Sequence, residues 1–213
     1  MTLPDPACPH PITLPDGSAH KGTVFLRNVI NHPRMRIGDF TYASDFDPPK
    51  DWAARLAPYL FPFSQELLTI GKFCQIAHGV RFIGSSANHE MSGPSTFPFA
   101  VFDPETMLGY QPDTRDMTIG HDVWLGFEAK VLAGAKIGNG VIVGAGAVVR
   151  GSIPDYAIVT GNPARVVKMR YSPEEIADLN ALAWWDWPLD RIAMAQKALS
   201  TGAINDLKVF APQ

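Results

Sequence analysis

Cysteine is scarce in this sequence of 213 residues, which holds Cys8 and Cys74. They lie far apart and neither belongs to a CxxC or Cys/His cluster, so the sequence predicts neither a disulfide framework nor a zinc ribbon. Cys74 occupies a position for small buried residues in the repeat described below. We therefore interpret it as a packing residue.

The sequence also lacks a large excess of either charge and any long apolar run. Eighteen Lys and Arg against 21 Asp and Glu give a formal net charge of -3, so no general attraction to nucleic acid or membranes is predicted. The N-terminal stretch does not show the basic and apolar regions of a signal peptide, and no segment approaches the roughly 18 apolar residues of a membrane span. With 46% hydrophobic residues the chain can bury a sizeable core, and we expect a soluble cytoplasmic protein.

What the sequence does contain is an aliphatic residue at every sixth position. The longest run is Ile119, Leu125, Val131, Ile137, Val143 and Val149, and a shorter one is Ile70, Ile76 and Phe82. Small or branched residues follow four positions after most of these, at Cys74, Val80, Val123, Ala129, Ala135, Val141 and Ala147. A period of six fits neither an α-helix nor a hairpin meander, and it is typical of the hexapeptide repeats of a parallel β-helix.

Such a repeat predicts a triangular coil of three hexapeptides. The first residue of each hexapeptide points inward and stacks on its counterpart 18 residues later, with coils roughly 4.8 Å apart. Glycine in the second position, as at Gly71, Gly120 and Gly138, suits corners where a side chain would crowd or where the backbone takes unusual angles.

The repeat is flanked and interrupted by other segments. We predict a proline-rich N-terminal arm over 1–35, a repeat domain over 36–170 with insertions at about 46–66 and 88–117, and C-terminal helices over 171–213. The first of these helices is expected to begin at a capping box of Ser172, Pro173 and Glu175. Trp184, Trp185 and Trp187 are interpreted as anchors that hold the C-terminal end in place.

Six motifs occur in the order found in a known family. They are "IGDFTY", "IGKFCQIAHGVRF", "ANHEMSGPSTFPF", "IGHDVWLG", "YAIVTGNPARVVKMRY" and "WWDWPLDRI". Together they resemble the hexapeptide-repeat acyltransferases, in particular the xenobiotic branch of type B chloramphenicol and streptogramin (virginiamycin) acetyltransferases. The resemblance implies a mainly β, left-handed parallel β-helix, an O-acetyltransferase that uses acetyl-CoA and a small-molecule acceptor without a metal, and a homotrimer with active sites at the subunit interfaces.

Acyl transfer near neutral pH requires a base, and histidine has a suitable pKa. The chain has histidines at positions 10, 20, 32, 78, 89 and 121. His78 and His121 fall at the third hexapeptide position, a corner expected to face solvent, and we interpret them as surface residues. His89 lies where the repeat is interrupted; its residue context leaves a catalytic role open, and the resemblance of "ANHEMSG" assigns it the role of general base. Glu90, Asp103 and a backbone carbonyl are all possible partners of its second ring nitrogen.

The segment "GNPARVVKMR" places cations where the repeat ends. The pattern alone is also compatible with a solvated surface. The resemblance implies a coenzyme A slot lined by Trp124, Phe127, Gly144, Ala145, Arg150, Gly161, Arg165 and Lys168. Phe127 departs from the polar residue common in the family, and Trp124 is open to a role in subunit packing or in the thioester slot.

The acceptor pocket is predicted from aromatic residues. Tyr42 is expected to reach the site from a neighbouring subunit, as the resemblance implies. Phe97 and Phe102 are expected either to line the pocket or to hold the long 88–117 loop in place.

Three alternatives remain open at this point. The same fold serves acyltransferases that act on sugars, serine or other metabolites. A γ-class carbonic anhydrase would bind zinc through histidines such as His78, His89 and His121, although these lack the expected ligand spacing. The last alternative is a hexapeptide scaffold without catalytic activity.

Overall fold

A computed structural model describes residues 3–109 and 113–212 as fifteen short strands and four α-helices, joined by turns and short 3-10 helices. The strands are β1 Thr23–Phe25, β2 Met35–Ile37, β3 Tyr42–Ser44, β4 Leu68–Ile70, β5 Gln75–Ile76, β6 Arg81–Ile83, β7 Met117–Ile119, β8 Trp124–Leu125, β9 Lys130–Leu132, β10 Lys136–Ile137, β11 Ile142–Val143, β12 Val148–Val149, β13 Ser152–Ile153, β14 Ala157–Thr160 and β15 Arg165–Met169. The helices are α1 Trp52–Leu56, α2 Pro173–Leu182, α3 Leu189–Thr201 and α4 Ile204–Lys208.

Three sheets form the walls of a three-sided prism. The five-stranded wall has the order β13-β10-β7-β4-β2, and the three-stranded wall has the order β12-β9-β6. The seven-stranded wall has the order β1-β3-β5-β8-β11-β14-β15, in which β1 and β15 are antiparallel additions to a parallel stack. The chain visits the five-, seven- and three-stranded walls in turn, which confirms the predicted β-helix.

The six-residue period places the aliphatic residues on the inside of the prism. Ile119 pairs with Ile137, Leu125 with Val143 and Val131 with Val149, each pair being one coil of 18 residues apart. These six side chains are at most 3% exposed. Since inward side chains from all three walls meet along the axis, burial of this apolar column stabilises the fold.

The insertions leave this register intact. Ile70 pairs with Ile119 although 49 residues separate them, and Ile37 pairs with Ile70 in the same wall. The two longer connections leave the prism after β3 and β6 and return to it at β4 and β7, each of which is the next strand of the five-stranded wall. The first contains α1, whose N-cap Asp51 accepts a hydrogen bond from the backbone N–H of Ala54 at 3.0 Å.

Close approach of neighbouring coils explains the glycines of the second position. A Cβ atom on Gly71 would lie 2.4 Å from the carbonyl oxygen of Gly120, which backbone cannot accommodate. The alternative expectation, unusual backbone angles at this position, is wrong. Positive φ angles occur instead two positions later, at Gly134 and Gly140 and also at the non-glycine residues Asp122 and Glu128.

Cys74 lies in the fully buried fifth position of its hexapeptide. Its thiol donates a hydrogen bond to the carbonyl of Gly120 at 3.1 Å, and burial raises its pKa to about 12. The thiol therefore stays protonated at neutral pH, as a packing residue should.

The C-terminal helices cover one edge of the prism. α2 begins with the predicted capping box, in which the Ser172 hydroxyl accepts from the N–H of Glu175 and the Glu175 carboxylate accepts from the N–H of Ser172. Trp185 and Trp187 are buried, and the indole N–H of Trp187 donates to the carbonyl of Leu182 at 2.7 Å. Among the helices of the described residues, none is long and apolar enough to cross a membrane.

Candidate active site

His89 is carried by the loop that leaves the three-stranded wall after β6. A 3-10 helix, Ser85–Ala87, begins the loop, and the N–H of Asn88 closes it by donating to the carbonyl of Ser85 at 2.8 Å. The His89 ring is exposed, and its Nδ1 atom lies 2.9 Å from the backbone carbonyl of Thr96. Because a carbonyl can only accept, Nδ1 carries the proton and Nε2 carries the lone pair.

The partner of the ring is therefore a backbone carbonyl, one of the three possibilities left open by the sequence. The Glu90 carboxylate instead accepts the backbone N–H groups of Met91 and Ser92 at 2.9 Å each, and these hydrogen bonds, that of Ser92 foremost, lower its pKa. Asp103 accepts the N–H of Glu105 at 3.0 Å. A loop that folds back on itself thus orients the histidine.

A cavity of about 220 Å³ lies beside His89. Its lining residues are Asn88, His89, Glu90, Met91, Asp113, Arg115 and Ala133. None of the residues predicted to bind the cofactor belongs to this lining. Within one chain, this cavity therefore holds the predicted base without any predicted cofactor residue.

Four predicted cofactor residues share one edge of the prism, which we call the second edge. It is formed by the turns at 77–80, 126–129 and 144–147, where the chain passes from the seven-stranded to the three-stranded wall, and by the turn at 161–164 between β14 and β15, which bonds to Val148 of the three-stranded wall. Phe127, Gly144, Ala145 and Gly161 lie in these turns. Glycine and alanine leave little side chain on this edge, so it is open to a long, thin ligand.

A second group follows a single row across the outside of the seven-stranded wall. The paired strands align Tyr42, Gln75, Trp124, Ile142, Ile158 and Lys168. Trp124 is 50% exposed in the middle of this row. Burial raises the pKa of the Tyr42 hydroxyl, so this group stays a neutral hydrogen-bond donor at neutral pH.

The predicted cations are distributed over two places. Arg165 and Lys168 are exposed on β15, at the edge of the seven-stranded wall, next to the second edge. Arg150 is exposed in the turn after β12, on the opposite side of the three-stranded wall. The contacts of Arg170 are structural, because its guanidinium donates to the carbonyl of Gly140 at 2.6 Å and lies over the ring of Tyr171.

The aromatic residues of the 88–117 loop form a small exposed cluster. The rings of Phe97 and Phe102 stack with centroids 5.2 Å apart, and Phe99 contacts Phe97 at 4.8 Å. Phe97 and Phe99 also line an open groove of about 660 Å³, which Glu90 lines as well. Phe97 thus packs within the loop and borders this groove, and its role in an acceptor pocket stays a prediction.

The interpretation of His78 and His121 as surface residues is wrong. His78 is covered by Phe46 and Phe127, whose rings stack on either side at 4.8 and 5.6 Å, and its Nδ1 lies 2.8 Å from the buried carboxylate of Asp45. This contact also gives Phe127 a role that its departure from the family pattern did not predict. Its ring packs on His78, and its carbonyl accepts the N–H of Gly146 at 2.7 Å.

His121 is covered by the C-terminal segment. Its ring stacks on Trp185 with centroids 4.9 Å apart, and its Nδ1 accepts the backbone N–H of Lys72 at 3.0 Å. Burial lowers its pKa. Phe46 from the first insertion and Trp185 from the C-terminal segment thus help to cover the two corners, and the six-residue period cannot indicate either contact.

The three histidines weighed as zinc ligands lie at different edges of the prism. His78 is on the second edge, His121 is between the five- and seven-stranded walls, and His89 is on a loop from the remaining edge. In the two described ranges, no group of three or more His, Cys, Asp or Glu side chains is arranged to hold a metal ion.

The fold and its functional groups define a hexapeptide-repeat protein with an exposed, oriented histidine and a narrow edge bordered by cations. Residues 116–151 match the family described as bacterial transferase hexapeptide (six repeats). The chain is 36% identical over 197 residues to a chloramphenicol acetyltransferase of Escherichia coli, a match that covers 89% of this chain and 93% of the relative. It is 31% identical over 217 residues to a virginiamycin A acetyltransferase of Staphylococcus aureus, covering 98% and 96%.

The chain therefore belongs to the hexapeptide-repeat acetyltransferases, in the xenobiotic branch, and its fold is the left-handed β-helix of that family. A more partial match is a putative lipopolysaccharide biosynthesis O-acetyl transferase of Escherichia coli strain K12. It is 40% identical over 121 residues, which cover 54% of this chain and 57% of the relative.

Proposed function

We propose that this protein transfers the acetyl group of acetyl-CoA to a hydroxyl of a small antibiotic-like molecule of the chloramphenicol or streptogramin A type, with His89 as general base. The observation that carries the proposal is the hydrogen bond between His89 Nδ1 and the Thr96 carbonyl, beside a cavity. An exposed imidazole with a fixed tautomer is the arrangement that proton abstraction requires.

The chemical role of His89 follows from this tautomer. Acetyl-CoA supplies the acetyl group as an activated thioester. Nε2 of His89 accepts the proton of the acceptor's hydroxyl as its oxygen attacks, while Nδ1–H continues to donate to Thr96. The imidazolium then holds that proton at Nε2 for return to the leaving group, so no acyl-enzyme is needed.

The second edge supports the cofactor part of the proposal. The turns with Gly144, Ala145 and Gly161 leave room for the thin pantetheine arm, and Arg165 and Lys168 lie exposed where its phosphates would be bound. Trp124 would border this slot from the seven-stranded wall, and Phe127 would border it from the second edge itself.

We further propose that the protein is a cytoplasmic homotrimer with three shared sites. The His89 cavity of one chain contains neither the second edge nor the row with Tyr42 and Trp124. A site that combines these groups requires a neighbouring copy, and cyclic symmetry then repeats the contact at each interface.

Release of the coenzyme A thiol tests the reaction directly. Purified protein with acetyl-CoA is offered chloramphenicol, streptogramin A, simple sugars and amines, and we expect the fastest release with one of the two antibiotics. Release with a sugar alone would favour the alternative suggested by the lipopolysaccharide-related match. Absence of both turnover and acetyl-CoA binding would support a non-catalytic scaffold.

Loss of the two cations on β15 should weaken cofactor binding. For the double variant Arg165→Ala and Lys168→Ala we expect the KM for acetyl-CoA to rise about tenfold or more, because hydrogen bonds between cations and phosphates are lost. The kcat should change little, since neither residue reaches the acyl group in this account. A matched control with the same charge change is Arg191→Ala and Lys197→Ala, exposed on α3; an equal rise in the control would show that only net charge matters.

A further inference from the structure

Glu66 is a buried carboxylate at the foot of the loop that carries His89. It is 1% exposed and lies just before β4, at the end of the first insertion. Its Oε1 atom accepts two hydrogen bonds from Ser86, from the backbone N–H at 2.8 Å and from the hydroxyl at 2.9 Å. Ser86 precedes His89 by three residues.

The contact is the end of a directed chain of hydrogen bonds. The Ser86 hydroxyl lies 2.8 Å from the Ser64 hydroxyl, which accepts the N–H of Phe61 at 2.9 Å. Because the Ser86 hydroxyl donates its proton to Glu66, the Ser64 hydroxyl must donate to Ser86. The donor and the acceptor of each hydrogen bond in this series are then defined. Hydrogen bonds arranged in this way strengthen one another in a buried environment.

The same stem is fixed from its other side. The hydroxyl of Ser85, a fully buried residue, accepts the N–H of Arg115 at 2.8 Å and so joins the outgoing and returning ends of the loop. Gly84 lets the carboxylate approach, since a Cβ atom at this position would lie 2.9 Å from Glu66 Oε1. The path of the backbone from Ser86 to His89 is therefore fixed at its start by two contacts, that of Glu66 with Ser86 and that of Arg115 with Ser85.

We propose that Glu66 is a positioning residue for His89: it fixes the stem of the loop so that the imidazole meets the acceptor in a reactive orientation. This inference rests on the proposed function of His89. Glu66 itself touches no reacting atom in this account. The acceptor property of Oε1 is what matters, because both contacts to Ser86 use that one atom.

Two substitutions separate positioning from stability. In Glu66→Ala both bonds to Ser86 are lost, and we expect kcat to fall between about tenfold and a hundredfold with an unchanged KM for acetyl-CoA, because small misplacements of a catalytic group are costly. Glu66→Gln keeps an oxygen acceptor and should retain a kcat within about threefold of the parent. Its amide nitrogen takes the place of Oε2, which has no hydrogen-bond partner among the described residues, so the exchange removes no hydrogen bond of the parent.

The control is Asn180→Ala. Asn180 donates to Asp155 at 2.8 Å on the far side of the prism, and its loss should lower the Tm at the parental kcat. If Glu66→Ala does not fold, Ser86→Ala decides, and it should lower kcat in the same direction by a smaller factor.

Three results would overturn the inference. They are a parental kcat in Glu66→Ala, an equal loss of kcat in Glu66→Gln and Glu66→Ala, and, where Glu66→Ala does not fold, a parental kcat in Ser86→Ala. The proposed function fails separately, if His89→Ala itself keeps the parental kcat.

Discussion

Replacement of His89 by alanine is expected to lower kcat for acetyl transfer about a thousandfold, the middle of the range for loss of a general base. The reason is local. The ring lines the cavity, its tautomer is fixed by the Thr96 carbonyl, and Nε2 is the nitrogen with the lone pair. The KM for acetyl-CoA should change little, because none of the predicted cofactor residues lines the His89 cavity.

The measurement is the initial rate of thiol release at saturating acetyl-CoA with the best acceptor of the screen. His20→Ala is the matched control, since this exposed histidine lies in the N-terminal arm and should leave the rate unchanged. A His89→Ala variant with the parental rate would remove the general base from the mechanism and would leave the family fold without an assigned catalytic group.

The fold could be predicted from the sequence because its six-residue period is visible in the type of residue at each position. Ile119, Leu125 and Val131 recur every six positions, and the pairing of each with its counterpart 18 residues later follows from three strands per coil. The capping box at Ser172 is equally local, because its donors and acceptors lie within four residues. Patterns of this kind need no knowledge of distant contacts.

The environment of the site could be predicted only in part. The break in the repeat and the family motif single out His89, but its partner is the carbonyl of Thr96, and a backbone group leaves no signal in the residue type. His78 and Asp45 each lie two residues beyond the paired residues Ala43 and Ile76, so their contact depends on a register between β3 and β5 across the first insertion. Glu66 similarly acquires its role through a contact with Ser86 across twenty residues.

A homotrimer with shared sites predicts complementation between variants, which a variant measured by itself does not test. If each site takes His89 from one chain and Tyr42 and Trp124 from its neighbour, two inactive variants can complement each other. The partners are His89→Ala and the double variant Tyr42→Ala with Trp124→Ala, which removes the two aromatic members of the row on the seven-stranded wall. Each should be inactive alone, while their mixed trimers should contain intact sites.

Random mixing sets the size of the expected recovery. A site is intact when one of its chains supplies His89 and the neighbour supplies the aromatic pair, which occurs in about a quarter of the sites of equally mixed cyclic trimers. The control is each variant denatured and refolded alone, and parental protein treated in the same way gives the reference rate.

The shared site is therefore tested most directly by the thiol-release rate of the co-refolded, equimolar mixture of these two variants with acetyl-CoA and the preferred acceptor. We predict about a quarter of the rate of refolded parental protein. A mixture that forms trimers yet remains as inactive as its two components would contradict a site shared between neighbouring chains.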